Sequence, residues 1–255
     1  MSQVNAKLGG LNAVVDPALP KQLPFNAERT MFVGIDVNHP SEKERIASSV
    51  VVAVGSIDPM FSCYNASIRV QKKEKDEEVK ELDSMIAELL TEYQLKNGFL
   101  PENMIIFRDG VSDGMFSRVA KLELPLIQAA INHMGKPMKF TVIITQKHHN
   151  TRFALTQVNL SGRKPTFNVP SGTVVDNTIV EPIYKMFYMN SHFSPLGTSR
   201  PTKYVIIRDD LNMSADTVQK MCFLLCYNSV RTRSVIRLPT PVRYGKIAVT
   251  ICSST

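Results

Sequence analysis

The chain has 255 residues, is 44% hydrophobic, and carries a net charge of +7. That is enough apolar material for one large domain or two small ones with a real core. No run of 18 or more apolar residues occurs, which argues against a membrane-spanning helix, and "MSQVNAKLGGLNAVVDP" lacks the apolar stretch of a signal peptide.

The first predicted strand is "MFVGIDV" (31–37), interrupted by Asp36. The β-branched "SSVVVAVGSI" (48–57) is the second, and the alternating "CYNASIRVQ" (63–71) is the third. Short loops between these three runs predict an antiparallel meander. In "KKEKDEEVKELDSMIAELLTEYQL" (72–95), Val79, Leu82, Ile86, Leu89 and Leu90 recur at helical spacing, so an amphipathic helix is expected. "NMIIFRD" (103–109) is strand four. "GMFSRVAKLELPLIQAAINHM" (114–134) is helical at both ends, with Pro125 expected to break or kink it.

"MKFTVIITQK" (138–147) is a further strand. Residues 150–182 read as loops around a short strand at "GTVVD". "IYKMFYMN" (183–190) and "KYVIIRD" (203–209) are strands, and Ser214 offers an N-cap for a helix over 215–230. The chain closes on "KIAVTIC" (246–252). The order predicts an α/β fold, a mixed sheet with helices on its faces rather than a uniform parallel winding.

Charge and cysteines add two constraints. From Arg200 to the end there are nine Lys or Arg and three acids, a bias that suits a polyanionic partner or a solvated basic face. Cys63, Cys222, Cys226 and Cys252 are scattered without a C-x-x-C pair, as expected of free thiols in a reducing compartment. Cys222 and Cys226 share one apolar helix face.

Asp36 and Asp109 each end an apolar strand. If those strands adjoin, the two carboxylates converge on one sheet edge. Charges about 4 Å apart repel by roughly 4 kcal/mol at an effective dielectric of 20. A hard divalent cation removes that cost, and Mg²⁺ is commonly held by one or two carboxylates with phosphate oxygens. Two such ions can drive phosphodiester cleavage. The plainer alternative is a strand, a turn and a helix cap at "FRDGVSDG".

"GIDVNHP" (34–40), "FRDGVSDGMF" (107–116), "QKHHNTRF" (146–153), "GTSRP" (197–201) and "CYNSVRTRSVIRLPTP" (226–241) occur together and in order. In this the chain resembles the PIWI domain of eukaryotic Argonaute proteins, over essentially its whole length. The resemblance implies one PIWI domain over 1–255, with 1–27 as a lead-in segment and without the PAZ and MID domains of full-length relatives. It implies a ribonuclease H-like mixed β-sheet flanked by helices. Cleaving members of the family use two aspartates, a glutamate and a final histidine or aspartate around two Mg²⁺ ions. Asp36 and Asp109 match the aspartates and would be the metal ligands. Glu77 matches the glutamate, with Glu78 as the alternative. Lys246 stands in the last slot, and an ammonium has three donors, no acceptor and its own positive charge.

The resemblance also implies guide binding by Lys7, Lys147, Arg152, Arg200 and Arg231, all as phosphate contacts. His148 and His149 are expected to be structural. Three functions follow. The first is a small-RNA-guided silencing module that binds guide and target RNA and acts through partner proteins, with cleavage weakened or lost at Lys246. The second is an active endonuclease using Mg²⁺ or Mn²⁺. The third is a partner-binding platform with little RNA affinity and no cofactor. A cytoplasmic or nuclear location is expected, away from membranes.

Overall fold

The computed structural model describes residues 4–5, 10, 23, 25–39, 48–71, 78–157, 167–194, 197–232 and 234–252. The strands are β1 (Thr30–Asn38), β2 (Ser49–Ser56), β3 (Tyr64–Gln71), β4 (Asn103–Asp109), β5 (Lys139–Gln146), β6 (Thr173–Val175), β7 (Lys185–Asn190) and β8 (Thr202–Asp209). The helices are α1 (Leu82–Asn97), α2 (Phe116–His133), α3 (Ala215–Leu225) and α4 (Thr240–Cys252). All eight strands form one sheet in the order β3-β2-β1-β4-β5-β8-β7-β6. β1, β4 and β5 run parallel at its centre, and every other pairing is antiparallel. The predicted meander is therefore present as β1–β2–β3.

Strand side chains alternate between faces, and both faces here are buried. Met31, Val33, Ile35, Met104 and Ile106 pack with α1 and α2. Phe32, Ile105, Phe107 and Ile143 point the other way, toward α3 and α4. A sheet covered on both sides reads as continuous apolar runs, which is why "MFVGI" and "MIIF" show little alternation. Burying each such side chain is worth roughly 1.5–3 kcal/mol. The central strands are thus the best-anchored part of the molecule, and the functional groups sit at their ends.

Several boundaries differ from expectation. α1 starts at Leu82, where its fully buried stripe begins, rather than at 72; residues 72–77 lie outside the described set. α2 runs unbroken through Pro125. Pro125 and Lys121 are both exposed, so the carbonyl that loses its i+4 donor opens to water. Val119, Glu123, Ile127 and Ala130 meanwhile keep one face buried across the proline. Ser214 caps α3 as predicted, its Oγ accepting from the Thr217 amide at 3.2 Å, but the helix ends at Leu225 rather than 230. "KIAVTIC" is the second half of α4.

Candidate functional site

β1 and β4 are parallel neighbours, with Ile35 opposite Arg108. One residue further on, Asp36 and Asp109 lie side by side on the α3/α4 face. Asp109 is fully buried and Asp36 nearly so. Gly110, at φ +85°, turns the chain off β4 immediately after the carboxylate. Thr145 of β5 donates to Asp109 Oδ1 at 3.3 Å. Burial, and next the Asp109 charge, push the Asp36 carboxyl above its usual range. The conjectured convergence of the two acids is therefore a property of the sheet.

α4 brings a fourth group to the edge. A Cβ on Gly34 would sit 2.2 Å from the Pro241 carbonyl oxygen, so glycine in "VGID" is what lets the helix start press onto β1. The contact continues at Gly245, where a Cβ would lie 3.6 Å from Asp36 Cβ. The next residue is Lys246. From β5, two residues beyond Thr145 on the same face, Lys147 places its ammonium in an ion pair with Asp109 Oδ2. Lys246 lies close to both lysine and acids. Its amine is pushed below the ordinary lysine range first by the Lys147 charge and then by burial, against the pull of Asp109 and Asp36.

A divalent cation at this edge would be held by Asp36 and Asp109. Among the described residues its donor set is two carboxylates with two lysines beside them. Lys147 occupies an Asp109 oxygen, and the two lysines balance the two carboxylates in formal charge. Ammonium groups offer no lone pair to a metal. Among the described residues, no further His, Cys, Asp or Glu completes a metal-binding group with the pair. Glu77 lies outside the described residues. Its alternative, Glu78, is ion-paired with Arg118 in the first turn of α2.

Beneath Asp109 lies a support that no sequence motif marks. Arg108 points to the opposite face and meets Glu123 of α2, with Nε–Oε2 at 3.1 Å and both side chains almost fully buried. Arg108 Nε and Nη2 both donate to Glu123, while Nη1 donates to the Asp109 carbonyl oxygen at 2.6 Å. An Arg preceding a strand-end acid, with a Glu inside the next apolar helix, was the available signal.

The predicted guide contacts separate. Lys147 is tied to Asp109, as described. Arg152 and Arg200 are exposed, and Arg152 Nη1 donates to the carbonyls of His149 and Thr151 at 2.9 and 2.7 Å. Arg231 is exposed on the loop between α3 and α4. Lys7 lies outside the described residues. A residue not singled out earlier, Arg237, joins this group. Its Nη2 donates to the carbonyls of Lys147 (3.1 Å) and Pro201 (3.0 Å). Burial, then the charges of Arg200 and Arg152, lower its pKa, which marks three guanidinium groups near one another. Arg237 Nε is buried without a partner among the described residues.

The remaining polar residues serve the fold. His149 Nε2 lies 3.0 Å from the Pro201 carbonyl, and burial lowers its pKa. Asp113 opens the one-turn helix Asp113–Met115 ahead of α2, and its side chain pairs with buried Lys203 at 2.8 Å. Asp209 sits opposite Thr141, four residues down β5 from Thr145, and so toward the far end of the sheet from Asp109. Asp176 accepts from Gln219 at 2.8 Å.

The Piwi domain family profile matches residues 1–254. Protein argonaute 7 of Oryza sativa subsp. japonica is 37% identical over 252 residues, covering 96% of this chain and 24% of that protein. Protein argonaute 16 of the same rice is 39% identical, covering 96% of this chain and 28% of that protein. The chain thus spans about a quarter of the length of these relatives. The structure of Kluyveromyces polysporus Argonaute with a guide RNA superimposes with a TM-score of 0.89 at 28% identity, covering 99% of this chain and 30% of that one. The sheet order and flanking helices are accordingly those of a ribonuclease H-like Argonaute lobe.

Proposed function

The chain belongs to the Piwi domain family, and from that premise we propose that it is a small-RNA-guided, nucleic-acid-binding module of RNA silencing whose target cleavage is weakened or lost. One observation carries the second half of this reading. Lys246 stands beside the Asp36–Asp109 pair, in the slot where cleaving relatives carry a histidine or aspartate. The first half is supported by the likeness to an Argonaute solved with a guide RNA, and by the Arg152, Arg200 and Arg237 cluster. Cations of this kind hold phosphates and carry no sequence information. Specificity then comes from base pairing between guide and target, as in other RNA-guided systems. Silencing without cutting requires partner proteins. Free Cys63, Cys222 and Cys226 suit a reducing cytoplasmic or nuclear setting.

A second reading is an active guided endonuclease using Mg²⁺ or Mn²⁺. The adjacency of Asp36 and Asp109 favours it, and it requires Lys147 to leave Asp109. Binding of 5′-phosphorylated RNA over a salt series tests the module reading. A steep fall in affinity with salt is expected of a phosphate-tracking groove. Absence of binding at low salt would overturn it.

A further inference from the structure

We propose that the pocket between β7, β8 and the first turn of α3 docks a segment of a partner protein, whose apolar side chain enters the pocket while flanking Lys or Arg side chains meet its acidic rim. The inference goes beyond the RNA-binding reading and does not rest on it. Arg200 stands just before β8 and Asp209, which lines the pocket, ends it. Roughly 25 Å of strand therefore separates this surface from the arginine cluster.

The lining is apolar. Phe187, Met213 and Val218 belong to the core beneath α3, and Met186 to the cluster on the other face; all four also line the pocket. Its volume is about 370 Å³. That lies at the low end of the roughly 300–1,000 Å³ of ligand pockets and suits side chains of a peptide rather than a packed domain. The loop between β6 and β7 supplies Val180 and Tyr184 to the wall. The same loop carries Ile179 at 45% and Ile183 at 80% exposure. Single exposed apolar residues are ordinary, but two on a loop that already walls an apolar pocket extend one contact surface.

The rim inverts the charge of the chain. Three carboxylates, Asp176, Glu181 and Asp209, line the pocket against one ammonium, Lys185, although the net charge of the chain is +7. Asp176 accepts from neutral Gln219 at 2.8 Å. Glu181 lies 4.0 Å from Lys203, whose closer partner is Asp113 at 2.8 Å. Asp209 accepts from Thr141 and from the Met213 amide, both at 3.0 Å, and Lys185 reaches it only at 3.5 Å. A carboxylate has about four acceptor sites, so a partner's ammonium or guanidinium can reach these acids without breaking a short ion pair. A polyanion such as RNA is repelled here. An apolar centre with a rim of complementary charge is the ordinary build of a protein interface, and the charge selects the partner.

The full chain is panned against a phage-displayed library of random short peptides, and enriched peptides are synthesised with a fluorescent label and titrated by anisotropy. Peptides carrying Leu, Met or Phe beside Lys or Arg should be enriched. Ala215→Trp, which fills the pocket from an exposed position on α3, should weaken their binding about ten-fold or more. Glu181→Lys, also at an exposed position, should weaken it in the same direction. Lys185→Gln removes the rim's ammonium and should tighten binding about two-fold. Glu92→Lys, an exposed acid of α1, should change nothing. Circular dichroism should show all four variants folded, and 5′-phosphorylated RNA should not compete with the peptide. Enrichment of acidic or purely polar peptides, or of none, overturns the proposal. So does binding that survives both Ala215→Trp and Glu181→Lys, binding lost in Glu92→Lys, or competition by the RNA. Self-association in sedimentation equilibrium that Ala215→Trp abolishes would make the occupant a second copy of the chain and overturn it as well.

Discussion

The ammonium of Lys147 is ion-paired with the buried carboxylate of Asp109. The pair joins the end of β4 to the residue just past β5, and Lys246 approaches it from α4. A fold built to gather acids at one sheet edge has here gathered their counter-charges from its own chain. Those positive charges offset part of the repulsion between Asp36 and Asp109.

The raised pKa of Asp36 predicts a pH-dependent effect on stability. A carboxyl whose folded pKa lies above its unfolded value, near 3.8, binds its proton more tightly when folded. Its contribution is therefore full below that unfolded pKa and is lost as pH rises through the folded one. Asp36→Asn should be more stable than the unmodified chain at pH 7, and the gain should shrink toward pH 4. Melting temperatures across pH 4–7 check this; a gain that stays constant with pH would contradict it.

Gly34→Ala should destabilise the chain. The added methyl would lie 2.2 Å from the Pro241 carbonyl oxygen, a backbone atom that cannot rotate away. Overpacking of this kind costs about 1–3 kcal/mol. Urea denaturation should show that loss with an unchanged m-value.

Glu123→Gln should cost about 3 kcal/mol, because it removes the carboxylate of a buried ion pair and leaves Arg108 the weaker pull of Asp36 and Asp109. The double variant Arg108→Met with Glu123→Leu should recover most of that stability. A double-mutant cycle in urea provides the readout. A single-variant loss within a few tenths of a kcal/mol would contradict this and mean that the Asp36 and Asp109 charges suffice for Arg108.

Arg237→Ala should weaken RNA binding and reduce the salt slope by about one. It removes a guanidinium near Arg200 and Arg152 and its hydrogen bonds to the Lys147 and Pro201 carbonyls. Lys139→Ala, an exposed cation at the other end of β5, should leave both unchanged. Filter binding at several salt concentrations distinguishes the two.

Strand order and site followed from sequence to different depths. The runs ending in Asp36 and Asp109 were visible because both faces of β1 and β4 are buried, which leaves unbroken apolar strings with an acid at the tip. Their adjacency was only a conjecture, since parallel pairing between distant strands leaves no local mark. Lys147 was legible as a basic motif residue but not as the partner of Asp109; that depends on β5 pairing Thr145 with Asp109. Pro125 misled because the cost of a helical proline depends on whether the freed carbonyl meets water. Arg237 was hidden in an overall charge bias, and only the fold sets it against the Lys147 and Pro201 carbonyls.

The most direct test is guide-directed cleavage. The chain is loaded with a 5′-phosphorylated guide and mixed with a labelled complementary RNA in Mg²⁺ or Mn²⁺. With two ammonium groups at the carboxylate pair, the target should remain intact in both metals. Cutting at a fixed position opposite the guide, abolished by Asp109→Ala, would contradict the account.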